Sequence, residues 1–188
     1  YIFVLDKFYS ELEPCIKNSN LKKIIICKIN DLLNPFMKIF VPIIMLYKRQ
    51  SISIDNNNNI IYFKDIISNN FGYEDVYVES DDIALLQYTG GTTGKSKAAI
   101  LTHKNLLSNV QQVSNWIEPH IKPGEEIIIT ALPLFHIFSF TVNCLTFLKI
   151  GAENVLIANP RDLNSFLKVL IKKKFTVMTA VNTLFNLL

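Results

Sequence analysis

The sequence predicts an α/β fold made of largely parallel sheet layers flanked by helices. Two observations carry this. Short continuous apolar runs recur at 2–5, 23–29, 83–88, 97–102, 127–131, 154–158 and 175–179, as strands covered on both faces require. Stretches with helical spacing of apolar residues fill the later intervals. A length of 188 residues is enough for one domain with a substantial core.

The elements follow in order. The run at 2–5 begins at once after Tyr1, and that at 23–29 follows a polar stretch. Residues 36–47 are apolar but contain Lys38 and Pro42, and twelve residues are too few to cross ~30 Å of hydrocarbon. Asn56, Asn57, Asn58 and Asn59 form a low-complexity loop. After the strands at 83–88 and 97–102, Thr102 is a candidate N-cap for a helix with Leu106, Val110, Val113 and Ile117 on one stripe. Pro119 ends it.

Residues 127–150 are long enough to span a membrane, yet Thr130, His136, Asn143 and Lys149 interrupt them, and such residues disfavour insertion. Pro133 splits the segment into a strand, a turn and a buried helix over 135–149. That helix is apolar almost all round, with Phe138, Val142, Leu145 and Leu148 on one stripe and Ile137, Phe140, Cys144 and Phe147 on the other. A further helix starts near Asp162 and is expected to bury Leu163, Phe166, Leu167 and Leu170. Its end, Lys172, Lys173 and Lys174, reads as a solvated terminus that complements the helix dipole.

Composition excludes some classes. A net charge of +3 is too small to argue for nucleic acid. Isoleucine (26), asparagine (19) and lysine (17) make up about a third of the chain, the mark of an A/T-rich coding background, so the lysines are not read as a designed basic surface. Cys15, Cys27 and Cys144 form no CxxC pair, and neither a disulfide framework nor a zinc site is indicated. Each is expected to be a small buried hydrophobe.

The most informative stretch is LQYTGGTTGKSK at 86–97. Gly90, Gly91 and Gly94 alternate with Thr89, Thr92 and Thr93, and Lys95 and Lys97 follow. Glycines let backbone N–H groups close on an anion, hydroxyls add neutral donors, and lysine adds a mobile charge. That is an inventory for a polyphosphate. A P-loop needs a glycine five residues before Gly94, where this chain has Thr89. A P-loop also opens into a helix, whereas Ala98, Ala99, Ile100 and Leu101 read as a strand. The P-loop is therefore excluded.

The loop matches without a gap the AMP-binding signature of the adenylate-forming enzymes, from Leu86 through Gly91-Thr92-Thr93-Gly94 to Ser96 and Lys97. With AILTHKNLLSN (99–109), ALPLFHIF (131–138), NCLTFLKIGAENVLIANPRD (143–162) and VNTLFN (181–186), the chain resembles the bacterial long-chain fatty-acid–CoA ligases. The likeness is strong over 81–188 and weaker over 1–80, around the loop near 55–59. Ala98, Glu153 and Ala180 depart from residues usual in that family.

The resemblance implies that the chain is part of the large N-terminal AMP-binding domain, without the C-terminal domain. Tyr1 opens in an apolar run and Leu188 closes in one, so both ends read as interior to a larger domain. It implies activation of a fatty acid by ATP to an acyl-adenylate, then transfer to coenzyme A, with Mg²⁺ as cofactor. The nucleotide would be bound by Tyr88, Thr89, Gly90, Gly91, Thr92, Thr93, Gly94, Lys95, Ser96 and Lys97, and Thr89 would be the hydroxyl associated with the metal. His136, Phe138, Asn182 and Thr183 would border the acyl pocket. No residue of the chain is assigned as catalytic, and nucleic acid is not a partner. The expected location is cytoplasmic, peripheral on the inner face of the cell membrane. Two alternatives remain open from the sequence. One is another adenylate-forming ligase, either an aryl–CoA ligase or a peptide-synthetase adenylation domain. The other is a non-catalytic remnant of a decayed gene.

Overall fold

The computed structural model describes residues 1–16, 19–33, 59–69, 72–89 and 96–188. Two compact units divide the chain, Tyr1–Asp75 and Val76–Leu188.

In the first unit β1 (Ile2–Leu5), β2 (Ile24–Cys27) and β3 (Ile60–Tyr62) form a parallel sheet in that order. The β2 triplet Ile24, Ile25 and Ile26 is buried throughout, as the central strand of a parallel sheet must be. Helix α1 (Tyr9–Ile16) lays Tyr9, Leu12 and Ile16 on Ile24 and Ile26. The run at 23–29 yields a strand of only four residues, because a 3-10 turn begins at Ile29. Helix α2 (Phe63–Ser68) follows β3 directly. The segment 36–47 and Asn56 to Asn58 lie outside the described residues; Asn59 accepts a hydrogen bond from the Ile24 amide at 2.8 Å. Cys15 is exposed, which corrects the expectation of a buried position.

In the second unit β4 (Ile83–Thr89) and β5 (Lys97–Thr102) pair antiparallel. Thr102 then caps α3 (His103–Ile117): its hydroxyl accepts from the Asn105 amide at 3.3 Å, and Asn105 Oδ1 accepts from the Thr102 amide at 3.0 Å. Pro119 sits in a 3-10 turn that closes this helix.

Strand β6 (Ile127–Thr130) is the centre of a second parallel sheet, with β7 (Glu153–Leu156) on one side and β8 (Val177–Thr179) on the other. The side chains of this sheet alternate between two layers. Ile129, Val155 and Met178 face Phe166, Val169 and Leu170 of α4 (Leu163–Lys172) and Leu184 of α5 (Asn182–Phe185). Thr130, Asn154 and Thr179 face the opposite way and meet Asn143. Consecutive crossovers thus cover opposite faces of one sheet, the layered arrangement expected of an α/β fold. Gly151, at φ 75°, turns the chain into β7 beside Gly124, at φ 81°. These left-handed angles suit glycine.

Three expectations need correction. Strands β4 and β5 are not covered on both faces: Leu86, Tyr88 and Ile100 are exposed on one face of a two-stranded ribbon. Leu167 on α4 is exposed, because Phe166, Val169 and Leu170 form the face that meets the sheet. The apolar helix expected over 135–149 is a π-helix (Ser139–Thr146) continued by one α-turn (Phe147–Lys149). Its buried side chains are mostly polar, Ser139, Thr141, Asn143 and Thr146, while Phe138 and Leu148 are exposed. Among the described residues, no helix is long and apolar enough to cross a membrane.

Candidate functional site

Gly90 to Lys95 lie outside the described residues, so only the two flanks of the glycine-threonine loop are described. Thr89 and Lys97 are register partners at the end of the β4–β5 pair where the chain passes from one strand to the other, and the Thr89 hydroxyl donates to the Lys97 carbonyl at 3.3 Å. The loop is therefore the connection of a hairpin, strand to strand, as the sequence indicated. Ala98 pairs with Tyr88 inside β5. Its backbone is extended there, a conformation in which a methyl group costs nothing that glycine would save.

The same strand end is tied to the LPLFH segment. Gln87 donates its Nε2 to the Phe135 carbonyl at 3.3 Å. Tyr88 together with Leu134, Phe135 and Phe140 lines a cleft of about 420 Å³. His136 lies one residue before the helix, exposed, with its amide bonded to the Pro133 carbonyl at 3.0 Å. Phe138 and Ile137 overhang a second cleft of about 320 Å³ against Leu101, Asn105 and Leu106. The Ser139 hydroxyl fixes the helix start to the Leu132 carbonyl at 2.9 Å.

A third cavity, about 490 Å³, opens at the carboxyl ends of β6, β7 and β8, the usual binding edge of a parallel sheet. Residues 131–133 and 159–161 form one side, and Val181, Thr183, Leu184 and Leu187 the other. Of the residues expected to border an acyl pocket, Thr183 lines this groove, whereas Asn182 is exposed beside it. The structure thus divides the expected set. Tyr88 and Phe138 lie on the hairpin side of the 131–138 segment, Thr183 lies on the sheet side, and His136 is exposed and lines none of these three clefts.

Sequence reasoning missed Arg161, Gln87 and Asn143. Arg161 stood in the quoted NPRD run, and its neighbourhood to Thr183 needed the sheet order to become visible. Asn143 was legible only as a polar interruption of an apolar helix. It is fully buried, donates to the Thr130 hydroxyl at 3.2 Å, and accepts the Thr179 hydroxyl at 2.8 Å.

Thr89 is the residue expected to meet Mg²⁺. Among the described residues no group of three or more His, Cys, Asp or Glu could hold a metal ion, and Mg²⁺ is ordinarily held by carboxylates together with substrate phosphates. A single neutral hydroxyl, already bonded to Lys97, does not make a resident magnesium site. At the opposite edge of the sheet Glu126 is buried and accepts from the Thr176 hydroxyl and from the Lys122 amide at 2.6 Å. These bonds, that of Thr176 first, hold its carboxyl below the ordinary glutamate value. Asp162 is likewise held low, first by the Ser165 hydroxyl and then by the Ser165 amide that it caps.

Known proteins share the fold. The profile of the AMP-binding enzyme family matches residues 10–188. A long-chain-fatty-acid–CoA ligase of Salmonella typhimurium is 39% identical over 191 residues, covering 100% of this chain and 34% of the relative. One from Haemophilus influenzae is 40% identical over 194 residues, with the same shares. The chain thus spans about a third of the length of these relatives. Among solved structures, the fatty acid AMP ligase from Legionella pneumophila superposes with a TM-score of 0.61 at 22% identity, over 96% of this chain and 29% of that one. With its profile match running over nearly the whole sequence, the chain belongs to the AMP-binding enzyme family.

Proposed function

We propose that this chain forms the nucleotide-facing and acyl-facing part of a long-chain fatty-acid–CoA ligase. The observation that carries the reading is the Gln87–Phe135 hydrogen bond. It joins the strand that delivers the glycine-threonine loop to the turn that presents His136, so a phosphate-binding element and an apolar cleft share one wall. Similarity to long-chain-fatty-acid–CoA ligases along the whole chain supports the choice of acid.

In the first step a fatty-acid carboxylate oxygen attacks the α-phosphorus of ATP. An acyl–phosphate bond forms, the α–β bridging bond breaks, and pyrophosphate leaves. The thiol of coenzyme A then attacks the acyl carbonyl, AMP departs, and the thiol proton passes to solvent. Charge develops on phosphate oxygens, so positioned donors are what the first step needs. Thr89 to Gly94 supply N–H and O–H donors, Ser96 adds a hydroxyl, and Lys97 supplies a charge toward the β- and γ-phosphates. Tyr88 flanks the adenylate from the strand, and Lys95 occupies a position without an assigned contact. His136 and Phe138 border the reacting carboxyl, with Asn182 and Thr183 among the few polar groups of the acyl side. Thr89 would be the hydroxyl that meets a Mg²⁺ brought by the nucleotide phosphates, and the ion would supply further positive charge to their oxygens. The reading places the protein in the cytoplasm, where ATP and coenzyme A are found, with peripheral contact at the membrane that stores its acid substrates.

The test is pyrophosphate–ATP exchange by the whole protein with dodecanoate, palmitate and 4-coumarate as acids. Exchange driven by the two fatty acids supports the reading. Exchange driven only by the aromatic acid transfers the function to an aryl–CoA ligase, and none with any acid leaves a non-catalytic remnant.

A further inference from the structure

The turn that carries His136 leaves the sheet at Thr130, the last residue of β6, and comes back onto it at Asn143 in the π-helix. Asn143 is fully buried, and its Nδ2 donates to the Thr130 hydroxyl at 3.2 Å, which closes the excursion. Its Oδ1 accepts at 2.8 Å from the hydroxyl of Thr179, the last residue of β8 and the register partner of Thr130. Asn154 on β7 completes the set: its Oδ1 accepts from Thr130 at 2.6 Å, and its Nδ2 donates to the Asn143 carbonyl at 2.5 Å. Inside the excursion the Ser139 hydroxyl donates to the Leu132 carbonyl, and the Phe140 amide to the His136 carbonyl, each at 2.9 Å.

Stability alone does not call for such a network. Apolar groups of the same shape, put in place of both partners of a buried hydrogen bond, cost little. The other face of the same sheet shows that solution, where α4 and α5 meet it through Phe166, Val169, Leu170 and Leu184. Apolar contact is non-directional, so it lets a helix slide or turn on its sheet. A closed ring of directional bonds allows one setting. The segment so held is a π-helix, a form found mostly at functional sites. We propose that Asn143 and Thr179 are positioning residues for adenylation. Through the Thr130 bond they fix where the 131–138 turn sets His136 over the strand ends, and they act through that turn, not by contact with a reactant. The ligase reading supplies the reaction that the turn serves; the mechanical link stands without it.

The test compares the whole protein with its Thr179→Val and Thr179→Ser variants, because valine keeps the volume and loses the donor whereas serine keeps the donor. Pyrophosphate–ATP exchange with palmitate is measured beside hydrogen–deuterium exchange of the backbone amides. In Thr179→Val, kcat for pyrophosphate exchange should fall roughly five- to fiftyfold, inside the range that a misplacement of about 1 Å costs. KM for ATP should stay within about twofold, because the glycine-threonine loop hangs on the β4–β5 hairpin outside the network. Amides of 134–141 should take up deuterium roughly tenfold faster, while those of α3 keep the parent rate. Thr179→Ser should recover most of both losses. An unchanged kcat overturns the proposal, and so does a lower kcat with unchanged protection over 134–141. Faster deuterium uptake throughout the molecule, or a serine variant no better than valine, also overturns it, since either marks a structural role alone. A parent without pyrophosphate exchange whose 134–141 amides still depend on Thr179 sinks the ligase reading and leaves the link. An active parent whose turnover and protection ignore Thr179 sinks the link alone, and an inactive parent with no such dependence sinks both.

Discussion

Thr179, the last residue of β8, donates its hydroxyl to Asn143 Oδ1 in the π-helix at 2.8 Å. The Asn143 amide in turn donates to Thr130 on β6, and Thr130 donates to Asn154 on β7 at 2.6 Å. Asn154 returns a bond to the Asn143 carbonyl at 2.5 Å. One fully buried asparagine therefore ties all three strands to the helix whose first residues border the candidate site. A π-helix widens the turn and is uncommon outside functional segments. Here it buries four polar side chains, Ser139, Thr141, Asn143 and Thr146, and each finds a partner.

Truncating this hub should be costly, because it strands a buried hydroxyl and opens a cavity. Asn143→Ala is expected to destabilise by roughly 2–4 kcal/mol, from an orphaned group at about 1–3 kcal/mol plus lost packing. A double-mutant cycle with Thr179→Val should show a coupling of about 1 kcal/mol or more. Urea unfolding of the four proteins measures it, and additive losses would mean that the bond contributes nothing of its own.

Much of this fold was legible in the sequence, and the misses share one cause. Runs such as Ile127 to Thr130 and the capped helix from His103 announce themselves through local pattern. Asn143 does not, because a buried polar residue is explained only by partners far along the chain. The exposed face of Leu86, Tyr88 and Ile100 was misread for the converse reason: an apolar run shows that burial suits it, not what lies across from it. On α4, Leu167 and Val169 are both apolar, and only the direction from which the sheet approaches decides which is covered. At the site, composition announced the loop. The adjacency of Arg161 and Thr183 depends on the order of β7, β6 and β8, which no local pattern encodes.

Glu126 gives the fold a pH dependence of predictable sign. Its carboxyl is held below the ordinary value, chiefly by the Thr176 hydroxyl, so the unfolded chain takes up the proton first as pH falls. The stabilisation is fully present above the ordinary glutamate value and is lost as pH drops through the lowered native one. Glu126→Gln should be less stable than the parent at neutral pH, with the gap narrowing in acid. Unfolding midpoints for both proteins across that range decide it, and a constant gap would show that the carboxylate charge is irrelevant.

Lys97 and Lys95 should separate in adenylation. Lys97 is anchored in β5 opposite Thr89, and its exposed side chain can swing toward the loop. Lys97→Ala is expected to slow pyrophosphate exchange roughly ten- to a hundredfold, the value of one charge-assisted bond at ~1.5–3 kcal/mol. Lys95→Ala should cost far less. Equal losses in the two variants would remove the distinction.

His136 offers the sharpest contrast between a structural and a functional role. A histidine beside an apolar helix is ordinarily a core residue with one satisfied hydrogen bond, and its removal then lowers stability. This one is exposed, and the bond that fixes its position runs through its backbone amide to Pro133, which alanine would keep. His136→Ala should therefore leave the thermal midpoint within about 2 °C, since surface substitutions usually lie within about ±0.5 kcal/mol. Acyl-CoA formation should fall at the same time, through a loss in kcat or a rise in KM for the acid. His136→Gln, which keeps a donor at similar reach, should recover part of the loss if the ring acts by hydrogen bonding. A large drop in the midpoint with normal turnover by the folded fraction would return His136 to the core and remove it from the site.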